Sequence, residues 1–170
     1  KLQLFDERKL KLVNGLWNID SCIGNKLLKE INPMNMKGLR RDKVISQIKA
    51  IINTSYIFLG YIEFANYIIK TSKIESDVSE ERRTQLIKKK LQYKFDNRMI
   101  IIDEVHNIRI TDENKNKKVA IELLKLVENV NTMKLLLLSA TPMYNTYKEI
   151  IWLINILNLN DNRPAIQEKD

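Results

Sequence analysis

The sequence predicts an α/β fold built on a mostly parallel sheet, because two apolar runs are joined by a segment with helical spacing. Residues 99–102 and 135–138 are aliphatic with no polar alternation, which is typical of strands buried on both faces of a parallel sheet. Between them, residues 119–130 place apolar side chains at helical spacing. Since parallel strands need a crossover connection, usually a helix, the pattern predicts parallel strands over 98–102 and 134–139.

A third strand, also parallel, is predicted over residues 55–60, an apolar run rich in aromatic residues, with a helix over 63–70 behind it. Upstream, residues 40–52 predict a helix with one apolar face, which consists of Val44, Ile45, Ile48, Ile51 and Ile52. Any helix before that segment is predicted to end near Asn32, because Pro33 disfavours the α region for the residue before it.

Two more helices are predicted from the residues at their N-termini. Ser79 can cap a helix whose first turn holds Glu80 and Glu81, acids that suit the positive end of the helix dipole. Further along, residues 146–149 have the spacing of a capping box, Thr followed three residues later by Glu. The run behind this box is apolar almost all round, which predicts a buried helix with Trp152 in the core.

Composition limits the class of protein. A chain of 170 residues that is 44% hydrophobic predicts one globular domain. No apolar run reaches the ~20 residues needed to cross a bilayer, so a soluble, intracellular protein with no membrane partner is expected. The single cysteine, Cys22, excludes an internal disulfide. The formal net charge of +8 favours a polyanionic partner, although an AT-rich coding sequence produces the same excess of lysine.

Polar side chains follow two of the predicted strands at the point where each strand ends. Asp103, Glu104 and His106 come directly after the first run, and Ser139 and Thr141 follow the second. The carboxyl ends of parallel strands meet at one edge of a sheet, where ligands collect. Adjacent carboxylates there suit nucleotide hydrolysis, in which one acid holds magnesium through water and its neighbour aligns or deprotonates the attacking water. The alternative is an ordinary acidic pair on a solvated loop.

Asp-Glu-Val-His and Ser-Ala-Thr, in this order and context, resemble motif II (DExH) and motif III (SAT) of superfamily 2 helicases and translocases. Residues 141–145 and 149–154 are similar to the "TPxxN…ExWxLxxxL" stretch of the Swi/Snf-type branch of that superfamily. That branch includes the nucleoside triphosphatases and early-transcription-factor helicase subunits of poxviruses and other large cytoplasmic DNA viruses. Residues 24–38 and 61–68 resemble the mimivirus-like members of that group. The chain is therefore similar to the ATP-binding domain of a viral helicase.

This resemblance implies a partial RecA-like (P-loop NTPase) domain, with the sheet flanked by helices. Residues 1–170 are then an internal fragment of the first RecA-like domain, in which 1–54 form a mixed leading segment and 55–160 the sheet core with motifs II and III. None of the four glycines begins a Gly-x-x-x-x-Gly-Lys-Ser/Thr loop. The Walker A strand is therefore expected to be missing from this fragment, which should be inactive alone.

The resemblance also implies a role for each motif residue. Asp103 would bind magnesium through water, Glu104 would orient or deprotonate the attacking water, and His106 would hydrogen-bond across to the second motif or to a nucleotide-linked group. The second motif would couple the state of the γ-phosphate to nucleic-acid contacts. It consists of Ser139, Ala140 and Thr141.

Three further residues, Tyr61, Glu63 and Asn66, would lie beside the nucleic-acid track, with ordinary turn and helix-surface positions as an equally expected alternative. The implied cofactors are ATP and magnesium. The implied partners are nucleic acid, DNA more than RNA, and the remaining helicase domains of the same chain. Viral RNA polymerase is a further candidate partner.

The function implied by the resemblance is a part of an ATP-dependent helicase or translocase of a large DNA virus that acts in transcription. Such a protein would be found in the virus factory, the host cytoplasm or the virion. The alternative is a non-catalytic RecA-like scaffold or interaction module of a viral transcription complex. Two adjacent carboxylates favour the enzyme, since a scaffold gains nothing from neighbouring like charges.

Overall fold

The computed structural model describes residues 5–21, 23–75, 77–108, 117–143 and 146–167 of the chain. The chain divides into two units, Lys1–Phe58 and Leu59–Asp170. Each unit has its own cluster of buried apolar side chains.

The first unit pairs a β-hairpin with two helices. Its elements are a 3₁₀ turn at Glu7–Lys9, β1 at Leu10–Val13, β2 at Leu16–Ile19, α1 at Gly24–Ile31 and α2 at Arg41–Ser55. The strands pair antiparallel, with Leu10 opposite Ile19. The turn between them consists of Asn14 and Gly15, both with positive φ, at 50° and 80°, which matches the right-handed twist of a hairpin.

Both helices of the first unit agree with the predictions made from the sequence, α1 in where it ends and α2 in its buried face. Helix α1 ends at Ile31, and Asn32 leaves the helical region with φ −137° and ψ 62°, so the predicted stop before Pro33 is confirmed. Helix α2 buries Val44, Ile48 and Ile52, which confirms the predicted apolar face.

The second unit contains a parallel strand pair and four α-helices among its described residues. They are α3 at Tyr61–Ser72, α4 at Glu80–Phe95, β3 at Met99–Ile102, a 3₁₀ turn at Val105–Asn107, α5 at Lys118–Asn129, β4 at Lys134–Leu137 and α6 at Tyr147–Asn160. Strands β3 and β4 pair parallel from Met99 opposite Lys134 to Ile102 opposite Leu137. Helix α5 connects them, so the predicted parallel pairing and crossover helix are confirmed.

One face of the β3–β4 sheet packs on the helices, while the other is exposed. Ile102 lies in the buried cluster, together with residues of α3, α4 and α5, and Leu135 packs against it. On the opposite face Met99, Ile101 and Leu136 are 61%, 55% and 39% exposed. The predicted burial on both faces is therefore wrong for the described residues, because helices cover only one side of this strand pair.

The predicted strand over 55–60 is also wrong. Ser55 is the last residue of α2, and Tyr56 begins an extended segment with φ −128° and ψ 133° that pairs with no described strand. The apolar side chains of residues 56–59 are 40–61% exposed. An extended backbone becomes a strand only when a neighbouring strand satisfies its N–H and C=O groups. The described residues therefore form two two-stranded sheets and no wider parallel sheet.

The remaining helices agree with the predictions in most respects. Ser79 caps α4 by accepting a hydrogen bond from the Arg82 N–H at 3.4 Å, as predicted. Thr146 precedes α6, but its side chain makes no capping hydrogen bond, so the predicted capping box is wrong. Helix α6 buries one face only, since Ile154 and Leu157 are 37% and 39% exposed, although Trp152 packs against the core as predicted. None of the helices in the described ranges is long and apolar enough to cross a bilayer.

Candidate functional site

Backbone hydrogen bonds bring the segments that follow β3 and β4 together. Beyond the last strand pair, the Leu138 N–H donates to the Ile102 carbonyl and the Val105 N–H donates to the Leu138 carbonyl, each at 2.9 Å. These bonds extend the contact between the strands past their ends. The first motif, which starts at Asp103, therefore lies directly beside the second, which starts at Ser139, on one edge of the sheet as predicted.

The chain turns sharply at the two carboxylates. The Glu104 N–H donates to Asp103 Oδ1 at 3.1 Å, and Glu104 adopts a left-handed backbone with φ 50° and ψ 48°. This conformation is uncommon for a residue with a Cβ and persists where surrounding contacts hold it. The next residues anchor the turn, because Val105 and Ile108 are 1% and 0% exposed. Both carboxylates remain on the surface.

The His106 ring joins the two motifs. Its Nδ1 atom lies 3.0 Å from Ser139 Oγ and 3.3 Å from Glu104 Oε2. Ser139 Oγ also accepts the Thr141 N–H at 3.1 Å. The contact between His106 and the second motif is one of the two predicted for this residue, the other being with a nucleotide-linked group. When Nδ1 carries a proton, it can donate a hydrogen bond to Glu104. In the other tautomer Nδ1 has no proton and can accept a hydrogen bond from the Ser139 hydroxyl.

The surroundings of Asp103 fit a magnesium ion held through water. Its carboxylate is exposed at the end of a strand, and one oxygen accepts the Glu104 N–H. Magnesium keeps several waters and uses one or two carboxylates. Within the described ranges no three acidic, His or Cys side chains converge to chelate a metal directly. Asp103 is the residue of this edge that could hold such an ion through water.

Tyr61 makes a contact that sequence reasoning missed. Its hydroxyl donates to the Asp103 carbonyl oxygen at 2.6 Å and lies 3.2 Å from the Glu104 carbonyl oxygen. Tyr61 lies 42 positions before Asp103 and 43 before Glu104. No local sequence pattern predicts a hydrogen bond over such a separation. The structure thus brings Tyr61 to the first motif, whereas the prediction placed it either beside a nucleic-acid track or at an ordinary turn or helix-surface position.

The other two residues predicted beside the track make contacts within the helical layer. Glu63 Oε2 accepts the Gly60 N–H at 2.9 Å and so caps α3. Asn66 Oδ1 accepts a hydrogen bond from Lys118 Nζ at 2.7 Å, which links α3 to α5. Both contacts agree with the ordinary structural alternative. Within the described residues neither side chain hydrogen-bonds to the two motifs.

Some predictions fall on residues outside those that the structure describes. Tyr144 and Asn145, the last two residues of the segment that begins at Thr141, are among them. Cys22 and residues 109–116 also lie outside the described residues.

The chain belongs to the SNF2-related domain family of helicase superfamily 2, since the model of that family matches residues 25–163. This match covers both predicted motifs and confirms the predicted superfamily.

Two viral proteins are among the relatives that the chain resembles. A candidate helicase of Invertebrate iridescent virus 3 is 30% identical over 117 residues, which cover 69% of this chain and 10% of that protein. A candidate ATP-dependent RNA helicase of Acanthamoeba polyphaga mimivirus is 26% identical over 159 residues, which cover 85% of this chain and 13% of that protein. The chain thus spans about a tenth of the length of these relatives. No solved structure matches it.

Proposed function

We propose that the chain carries the water-activating and coupling motifs of an ATP-dependent nucleic-acid helicase or translocase of a large DNA virus that acts in transcription. The observation that carries this proposal is the junction of the two motifs. His106 contacts Ser139 at 3.0 Å while two adjacent carboxylates stand at the end of the neighbouring parallel strand. Membership of the SNF2-related family supports the same activity.

In this proposal the two carboxylates divide the work of hydrolysis. Asp103 holds the water shell of magnesium, and Glu104 aligns or deprotonates the water that attacks the γ-phosphate. Bound ATP and magnesium supply the leaving group and neutralise its developing charge.

His106 connects hydrolysis to the second motif. The same nitrogen of His106, Nδ1, faces both Glu104 and Ser139. It can therefore make a well-aligned hydrogen bond with only one of them at a time. A movement of Glu104 when the attacking water is consumed therefore changes the hydrogen bond available to Ser139. Ser139, Ala140 and Thr141 would transmit this change to the nucleic acid, which is the coupling role.

The remaining domains and partners belong to the same proposal. The chain would be an internal part of the first RecA-like domain, with the phosphate-binding loop and a second RecA-like domain supplied by a longer polypeptide. The net charge of +8 supports a nucleic-acid track, with DNA preferred to RNA, although the mimivirus relative is named for RNA. Viral RNA polymerase is a proposed partner, and the virus factory, host cytoplasm or virion the proposed location.

A non-catalytic scaffold in a viral transcription complex is the second candidate function. The exposed apolar face at Met99, Ile101 and Leu136 favours it, since such a face is suited to burial against another surface. The left-handed Glu104 beside Asp103 favours the enzyme, because strained backbone of this kind clusters at active sites and switch regions.

Substitution of Glu104 tests the enzyme against the scaffold in the full-length protein. Glu104→Gln keeps the shape of the side chain but cannot accept a proton from water, so ATP turnover is expected to fall about 10²–10⁴-fold with nucleotide binding retained. Glu81→Gln, at an exposed carboxylate in the first turn of α4, is the matched control and should turn over like the wild type. Full turnover in Glu104→Gln would contradict the catalytic assignment.

The isolated 170-residue chain is a further arm of the same assay. It is expected to show no nucleic-acid-stimulated hydrolysis, because none of its four glycines begins a phosphate-binding loop. Stimulated turnover by this chain would show that it binds the β- and γ-phosphates by another route.

A further inference from the structure

We infer that Tyr61 is a positioning residue for Glu104, acting through the backbone of the Asp103–Glu104 turn. The inference rests on the proposed function, since it assigns a partner to the water-activating carboxylate. The sequence predicts Tyr61 beside nucleic acid or at an ordinary surface position, whereas this inference gives it a role in ATP hydrolysis.

The Tyr61 hydroxyl holds the carbonyl side of the turn. Its 2.6 Å contact with the Asp103 carbonyl oxygen is at the short end of the range for O–H···O hydrogen bonds. The Glu104 carbonyl oxygen, 3.2 Å from the same hydroxyl, also accepts the Asn107 N–H at 3.0 Å. Within the described residues, the Asp103 carbonyl has no other hydrogen-bond donor, so Tyr61 satisfies a group that β3 leaves unpaired where it ends.

The downstream side of the turn is held separately. The Val105 N–H donates to the Leu138 carbonyl at 2.9 Å, and the Val105 side chain is 1% exposed. Glu104 therefore lies between two fixed peptides, one held by Tyr61 and one by the segment after β4. The left-handed conformation of Glu104 is uncommon for a residue with a Cβ, and the surrounding contacts hold it. Loss of the Tyr61 hydroxyl removes one of these two restraints, the hydrogen bond to the Asp103 carbonyl.

The hydroxyl is presented by a well-anchored element. Tyr61 is the first residue of α3, and its ring packs against the buried cluster of the second unit. Ala65 and Ile68, one and two turns further along the helix, are 0% exposed. The ring position therefore depends on packing that remains when only the hydroxyl is removed. Tyr61→Phe is consequently a substitution that changes the hydrogen bond and little else.

Tyr67 offers a matched control on the same helix. Its ring makes an edge-on contact with Phe95 and lies beneath the Lys94 ammonium, and no hydrogen bond of its hydroxyl is seen among the described residues. Tyr67→Phe removes the same atom from the same helix without touching the turn.

The test is steady-state ATP turnover of the full-length protein carrying Tyr61→Phe, Tyr67→Phe, Glu104→Gln and the Tyr61→Phe/Glu104→Gln pair. Tyr61→Phe should lower kcat about tenfold with an unchanged KM for ATP, because a misplaced catalytic group loses rate without losing binding. The pair should be no slower than Glu104→Gln alone, since the two residues act as one unit. Tyr67→Phe should match the wild type.

Hydrogen exchange of the amides at residues 105–107 gives a readout that does not depend on turnover. Exchange should become faster in Tyr61→Phe and stay unchanged in Tyr67→Phe, because only the former releases the turn.

The outcomes separate this inference from the proposed function. Wild-type kcat in Tyr61→Phe alongside an inactive Glu104→Gln would overturn the positioning role alone. Unchanged exchange at the turn, or a further tenfold loss in the double variant, would also overturn it. Full turnover in Glu104→Gln would remove the proposed function and the inference with it.

Discussion

Residues 99–102 and 56–59 are both short apolar runs, but only the first forms a paired β-strand. Met99–Ile102 pairs along its whole length with Lys134–Leu137 and buries Ile102 at 6% exposure. Residues 56–59 follow α2 in an extended segment that is 40–61% exposed. The difference teaches that the run alone does not make a strand. A second run, returned alongside by a crossover helix, satisfies the backbone hydrogen bonds of the first, and helices cover one face of the resulting strand pair.

The pairing also explains where the candidate site forms. The hydrogen bonds that continue past Ile102 and Leu137 align the two following segments, so residues 33 positions apart, His106 and Ser139, come into contact. Residues 60–63 follow the unpaired run instead and form the start of α3. The paired run therefore creates an edge that carries two motifs, while Tyr61, the first residue of the helix that follows the unpaired run, contributes one hydroxyl to that edge.

The largest effect is expected where the paired run enters the core. Ile102→Ala should lower the free energy of unfolding by about 2–5 kcal/mol, because it leaves a cavity beneath the site. Ile57→Ala, in the unpaired run at 61% exposure, should change it by less than about 0.5 kcal/mol. Urea unfolding of the two variants and the wild type measures both values. Equal losses would mean that the 56–59 run is as well packed as β3.

A smaller effect is expected at the hairpin of the first unit, where a tight turn brings the strands together without a crossover helix. Gly15 has φ +80°, and an added Cβ would meet Lys37 Cδ at 3.3 Å. Gly15→Ala should therefore cost about 1–2 kcal/mol, the range for a left-handed residue with a side chain.

Gly60 supplies the control for this substitution. Its φ of −71° suits any residue, and its added Cβ would meet only Glu63 Oε2 at an ordinary 3.7 Å. Gly60→Ala should thus be close to neutral, again by urea unfolding. If both variants lost the same stability, the positive φ at Gly15 would not be what forms the hairpin.

The smallest effect concerns an exposed ion pair of the first unit. The Lys49 ammonium, 2.8 Å from Glu7 Oε2, lowers the pKa of the Glu7 carboxyl through a hydrogen bond and its charge. A lowered pKa in the folded state stabilises the fold above the ordinary pKa of Glu, and this contribution is lost as pH falls through the lowered value. Both groups are well exposed, so solvent screening keeps the effect on stability small.

Lys49→Ala should raise the pKa of Glu7 towards its ordinary value, as followed by an NMR titration of the carboxyl. Lys43→Ala, on the exposed side of the same helix, should leave it unchanged. An unaltered Glu7 titration in Lys49→Ala would show that the pair does not form in solution.

Sequence reasoning succeeded where the determinant is local or carried by a family motif. Helix α2 follows from the spacing of its isoleucines, α4 from Ser79, and the His106–Ser139 contact from motif order. It failed over 55–60, because a strand depends on a partner elsewhere in the chain. It also missed Tyr61, whose contact with Asp103 is set by the packing of α3. The β1–β2 hairpin was not predicted, although Asn14-Gly15 is a strong hairpin signal.

The double substitution Ser139→Ala/Thr141→Ala in the full-length protein most directly tests whether the junction of the two motifs couples hydrolysis to movement. The variant removes two hydroxyls, that of Ser139, which faces His106, and that of Thr141. It leaves Asp103 and Glu104 in place. ATP turnover and translocation along the strand are measured side by side. We predict that part of the ATP turnover remains while movement along the strand falls much further, so that the number of ATP molecules consumed per step rises. Equal loss of the two activities would contradict a coupling role for this junction.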